Sequence, residues 1–212
     1  EDYWKSKKIK CLGIYDSYNL CGALECSEKI SKGGTQTSIG TQINLNILNI
    51  LGKISLYATS ETGYKNLTKL SSKSYLKNDG ITEPSCNLED LRENSEDLVL
   101  LTGNYKNFFG QLFYKNKLKD FEQILNSLKN SFKDRLYIEI QRHNEDQEKN
   151  FENYLLNISK SLKLPLIATQ EIFYLNENMY DAHDALVCIG ENSFVDDKNR
   201  FIYSTQHYLK SP

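Results

Sequence analysis

From residue 11 onward, short β-rich runs alternate with longer segments of helical period, and this alternation restricts the architectures open to the chain more than any other feature. The strand candidates are KCLGIY (10–15), TSIGTQINL (37–45), KISLYA (53–58), DLVLLT (97–102), RLYIEI (135–140) and LPLIAT (164–169). The helix candidates span 20–31, 62–76, 87–94, 107–130 (as two helices) and 146–162. In the last of them Phe151, Tyr154, Leu155, Ile158 and Leu162 fall on one face, as an amphipathic helix packed on a sheet requires. Strands separated by helices predict an α/β protein with a largely parallel sheet joined by crossovers, open or closed, and a barrel is the favoured form. Neither an internal repeat nor a low-complexity linker interrupts the pattern, and 212 residues with 39% hydrophobic content suit one core. A single domain over 1–212 is therefore expected.

Charge and cysteine usage exclude several function classes. A net charge of -2 provides no global basic field for nucleic acid or an anionic membrane. The five cysteines (Cys11, Cys21, Cys26, Cys86, Cys188) are odd in number and form no CxxC pair, against both a disulfide framework and a zinc ribbon. Reduced thiols and a cytoplasmic location follow as expectations. No apolar run approaches the ~18 residues of a membrane span, and EDYWKSKKIK is no signal peptide, so no membrane partner is expected. Three histidines (His143, His183, His207) are too few for a His-rich polynuclear metal site. The opening DYWKSKKIK reads as the end of a helix feeding the first strand, with Lys5, Lys7, Lys8 and Lys10 as its solvated face, and HYLKSP stops where a helix could begin. On that reading a preceding N-terminal strand is missing and the chain is a fragment of a longer protein.

The first strand hands over to a helix through Asp16-Ser17-Tyr18-Asn19-Leu20, followed by Gly22-Ala23-Leu24-Glu25. Such turns are where α/β proteins place their chemistry. This stretch resembles the TDHGNLFGALE motif of the PHP (polymerase and histidinol phosphatase) domain of bacterial replicative DNA polymerase III alpha subunits. Glu61-Thr62-Gly63-Tyr64-Lys65-Asn66-Leu67 is similar to that family's GYKNL segment, and Asp97 to Gly103 to its G-L-I-x-L-S/T-G strand. Pro165 to Thr169, Asp181-Ala182-His183-Asp184 and Tyr208 to Pro212 resemble its PLVATN, AHD and YLKSP elements. The elements run in order over nearly the whole chain.

The resemblance implies a distorted (β/α)7 TIM-like barrel at the N-terminus of a much larger DNA-directed DNA polymerase. In complete members, His, Asp and Glu at the C-terminal strand ends bind up to three metal ions for phosphoester chemistry. Here the matching positions are Ser17, Gln42, Lys53, His143, Glu171 and Phe173, and among them only His143 keeps the family residue. Neutral oxygens, an aromatic ring and an ammonium group cannot hold cations as carboxylates and imidazoles do. The resemblance therefore implies no catalytic residue and no cofactor in this chain, with manganese or zinc as the alternative if a site is retained. It implies a scaffold that stabilises the remaining polymerase domains, docks the proofreading exonuclease subunit and meets DNA only through the full-length protein. A metal-dependent phosphoesterase or 3'-5' exonuclease is the alternative.

Individual residues have bland readings too. Asp16 is expected to cap the following helix, with Asn19 competing for that role. Asp16, Lys53, His143 and Glu171 form a possible residual polar cluster, in which Lys53 would keep both acids ionised. His143 is expected to be a hydrogen-bonded surface or cleft histidine, His183 a satisfied structural one, and the tyrosines half-buried packing groups.

Overall fold

The structure, a computed structural model, describes residues 9–77 and 82–210. Lys5, Lys7 and Lys8, the reading of the opening segment as a helix end, and the closing Ser211-Pro212 lie outside the described residues. The strands are β1 (Cys11–Ser17), β2 (Gln36–Ile47), β3 (Ile50–Ala58), β4 (Ser85–Cys86), β5 (Leu98–Leu101), β6 (Leu136–Ile140) and β7 (Leu166–Ala168). The helices are α1 (Ala23–Lys32), α2 (Glu61–Leu76), α3 (Leu88–Glu93), α4 (Phe108–Tyr114), α5 (Leu118–Phe132), α6 (Glu148–Leu162) and α7 (Tyr180–Gly190).

One sheet runs in the order β1-β2-β3-β5-β6-β7, with the short β4 beside β2. β1 and β2, β2 and β4, β5 and β6, and β6 and β7 pair in parallel, whereas β3 is antiparallel to both β2 and β5. The sheet is thus parallel except for β3, which returns from β2 through a tight turn at Leu48 and Asn49, both at positive φ. That conformation gives a two-residue hairpin the twist of its strands. The sheet curls into a distorted barrel. Gly13 to Ser17 of β1 and Gln170 to Phe173 after β7 line a common cavity of about 370 Å³, so the two ends of the strand order face one another. Among the described residues, β1 and β7 each pair on one side only.

Strand alternation sorts the side chains by face. Ile43, Leu45, Ile54, Leu56, Leu98, Leu100, Leu136 and Ile138 point into the apolar core against the helices, where Phe109, Phe121, Leu125 and Leu128 are fully buried. The opposite, concave face receives Gln42, Asn44, Lys53 and Glu139, which line cavities at the strand ends. On the core side α2, α4, α5 and α6 seal the sheet through apolar stripes. In α6 that stripe is Phe151, Leu155 and Ile158, as its spacing predicts.

Candidate functional site at the mouth of the curled sheet

The concave face opens at the C-terminal ends of the parallel strands, where barrels of this kind place their chemistry. A cavity of about 460 Å³ there is bordered by Tyr18, Gln42, Asn44, Lys53, Lys106 and Glu171, among others. Register explains part of this convergence. Ser17 pairs with Gln42 across β1 and β2, and Asn44 pairs with Lys53 across β2 and β3, so the fold brings Ser17, Gln42 and Lys53 to one spot. Ser17 Oγ donates to Gln42 Oε1 at 3.0 Å and accepts from Lys53 Nζ at 3.0 Å. The ammonium also lies 5.1 Å from the centre of the Tyr18 ring, a favourable cation–π contact. Tyr18 Oη in turn donates to Glu83 Oε2 (3.1 Å) and lies 3.3 Å from Asn44 Oδ1, tying the turn after β1 to the approach to β4.

The expected cluster of Asp16, Lys53, His143 and Glu171 needs correction at three of its members. Lys53 binds the Ser17 hydroxyl instead of forming an ion pair with Asp16 or Glu171. Asp16 is exposed and points toward Gly22, and it caps no helix, since α1 begins without a side-chain cap. The turn is closed by Asn19, whose Oδ1 accepts from Cys21 N (2.9 Å) and whose Nδ2 donates to Ser17 O (3.0 Å). Asn is favoured there because its carboxamide satisfies backbone on both sides of a turn. The Glu171 carboxyl is held above the usual carboxylate range. Burial is the main cause, and the charges of Lys106 and Lys53 oppose it without overcoming it.

Of the two expected settings for His143, surface or cleft, the surface is excluded, since the residue is 1% exposed. Its ring stacks on His207 with centroids 4.1 Å apart and planes 7° from parallel, and its Nδ1 lies 3.3 Å from Glu148 Oε1. The other face of the column continues through Phe173 to His183, with interplanar angles of 26° and 6°. All three histidines therefore join one stack, with Tyr203 set edge-on against Phe173, His183 and His207. His183 is held by ring contact and not by a satisfied hydrogen bond, because its Nδ1 is buried without a partner, as are Nε2 of His143 and of His207. Burial holds all three imidazoles below the ordinary histidine range, His207 at about 4 with the neighbouring His143 adding to the effect.

The residues present do not fit a polynuclear metal centre. Imidazole lone pairs lie in the ring plane, so the nearly parallel rings of His143 and His207 do not aim at one ion. Ser17 and Gln42 are engaged with each other and with an ammonium, and Phe173 has no donor atom. Among the described residues no three His, Cys, Asp or Glu side chains group as a metal site would need.

Two residues of the concave face carry no sequence signal of their own. Glu139 is 3% exposed and accepts from Gly103 N (2.9 Å), Gln141 Nε2 (2.9 Å) and Thr169 Oγ1. Burial pushes its carboxyl up, and these donors act against that push. Lys106 reaches Glu145 at 2.7 Å and passes over the Phe201 ring at the cavity rim.

The sequence profile of the PHP domain matches residues 3–143. The chain is 34% identical to the DNA polymerase III subunit alpha of Rickettsia bellii over 97% of its own length and 18% of that protein. It is 33% identical to that of Caulobacter vibrioides over 96% of its length and 18% of that protein. The chain thus spans about a fifth of the length of these relatives. A solved structure from Bifidobacterium adolescentis, described as a candidate metal-dependent phosphoesterase, superposes with a TM-score of 0.52 at 11% identity. It covers 79% of this chain and 78% of that one, and the likeness concerns the fold alone.

Proposed function

Because this chain belongs to the PHP domain family, we propose that it is the PHP domain of a DNA polymerase III alpha subunit and serves DNA replication there as a non-catalytic scaffold. The observation that carries this reading is the Ser17–Gln42–Lys53 cluster, where neutral side chains and an ammonium occupy the positions that resemble the family's ligands. A cation placed beside Lys53 would meet a fixed positive charge and two oxygens already committed to hydrogen bonds. In this role the domain supports the neighbouring polymerase modules in the cytoplasm and offers a docking surface to the proofreading exonuclease subunit. DNA is met through the full-length protein.

A metal-dependent phosphoesterase or exonuclease is the second reading, favoured by the buried, unpartnered Nε2 of His143, at a position that resembles a family ligand. Elemental analysis of the purified chain, with hydrolysis of a generic phosphoester in added manganese or zinc, separates the two. The scaffold predicts sub-stoichiometric metal and a rate no higher than that of metal alone. A stoichiometric ion that supports turnover, abolished by His143→Ala, would establish the enzyme instead.

A further inference from the structure

Between Gly190, the last residue of α7, and the isolated bridge of Tyr208 with Tyr174, the chain forms neither helix nor strand. It turns at Asn192, which sits at positive φ, and returns across the mouth of the curled sheet, where Phe201 and Tyr203 border the cavity of about 460 Å³. Apolar burial does little to hold it there. Phe194, Val195, Phe201 and Ile202 are all at least half exposed, so closing this segment over the mouth removes little apolar surface from water. A segment with few buried apolar contacts and no regular structure belongs to the low-stability end of a fold.

Two polar features act on the segment in opposite directions. Arg200 holds it closed. Two of its guanidinium nitrogens each lie 2.6 Å from an oxygen of Asp184 on α7, and the two side chains are only 8% and 10% exposed. Among the described residues this is the one ion pair between the segment and the rest of the protein, and a charge-assisted, two-pronged pair out of water is costly to break. Neutral bonds assist it, from Phe173 N to His207 O (2.9 Å) and from Tyr180 Oη to Tyr203 O (3.2 Å). The histidines pull the other way. His207 lies between the rings of His143 and Phe173, and with the segment closed Nε2 of His143 and Nε2 of His207 are both buried without a partner. Each forgoes the hydrogen bond that water would give it, so the closed arrangement carries a cost that opening removes.

We propose that residues 191–207 form a lid over His143 that opens independently of the sheet, with the Arg200–Asp184 pair as its latch. Opening withdraws the His207 ring, bares His143 Nε2 and widens the mouth cavity on the side of Phe201 and Tyr203. The lid works in this way whether or not the domain is a scaffold. Diethyl pyrocarbonate, which modifies neutral imidazole, tests it in the purified chain at pH 7, with each histidine followed by mass spectrometry of its peptide. In the parent, modification of His143 and exchange of the Phe173 amide should report one opening, at least about tenfold more frequent than that reported by the amides pairing β2 with β3. Arg200→Met should raise His143 modification at least about tenfold further, because Asp184, left without its partner, regains water only when the lid is open. Leu128→Ala, in the buried face of α5, should speed exchange in β2 and β3 and leave His143 modification at the parent rate. Equal opening at Phe173 and in β2 and β3 of the parent would overturn the proposal, as would Arg200→Met with unchanged His143 modification. So would Leu128→Ala that speeds His143 modification as much as sheet exchange, since His143 would then be reached only by unfolding of the whole domain.

Discussion

Gly63→Ala is expected to destabilise the fold by about 3 kcal/mol or more, although alanine is the better helix former by about 1 kcal/mol. Gly63 lies in the first turn of α2, and a Cβ there would stand 2.1 Å from Asp97 O and 3.3 Å from Ala58 Cα. The obstructing carbonyl cannot retreat cheaply. It accepts from Thr59 N and from Thr59 Oγ1, both at 3.0 Å, while Asp97 Oδ2 accepts from Ser60 Oγ at 2.6 Å. Ser60 is also the N-cap of α2, through a bond from Gly63 N, so moving the helix away from the carbonyl would strain its own cap. Urea denaturation of the two proteins measures the difference. A Gly63→Ala variant as stable as the parent would show that α2 does not press on the start of β5 as described.

Acidification supplies the second large effect, and His207 its main source. In the unfolded chain this imidazole takes its proton near 6.5, whereas burial beside His143 holds it to about 4 in the fold. The unfolded state therefore binds the proton first. The stability that His207 contributes is complete above 6.5 and is lost as pH falls toward 4, amounting to about 2 kcal/mol at pH 5. His143 and His183, also held low, push in the same direction. Glu139 and Glu171 push the other way, since their raised pKa values let the folded state take up protons before the unfolded one. His207→Phe keeps a flat ring between His143 and Phe173 and leaves those other groups in place. From pH 7 to pH 5 the parent should lose about 2 kcal/mol more than His207→Phe, read from urea midpoints at each pH. Parallel losses in the two proteins would remove His207 as the source.

Most strands and helices were legible because their periodicity is clean. The strands at 11–17, 36–47 and 136–140 and the helices at 61–76 and 148–162 lie close to where the pattern predicts them. Three features were not legible, each for a physical reason. The hairpin between β2 and β3 turns on Leu48-Asn49, which lacks the Asn-Gly or Asp-Gly pair that announces positive φ. Helix α7 has apolar residues on both faces, so no amphipathic stripe marks it. The two-residue β4 is too short to carry a pattern.

At the site, family resemblance supplied Ser17, Gln42 and Lys53, and cross-strand register brings them into contact. Glu139 escaped notice because a lone acid in an apolar strand looks like a solvent-facing residue. Here the solvent side of β6 is the inside of the curl. The stacking of His143 on His207 joins residues far apart in sequence, and no local spacing encodes it.

The seam between β1 and β7 has a practical consequence for handling the molecule. Among the described residues each bordering strand offers a row of amide and carbonyl groups of the kind on which stray extended chains template themselves. Concentrated preparations of the isolated chain will tend toward edge-to-edge oligomers and turbidity, and a short extended peptide lodged in that cleft should keep the solution clear.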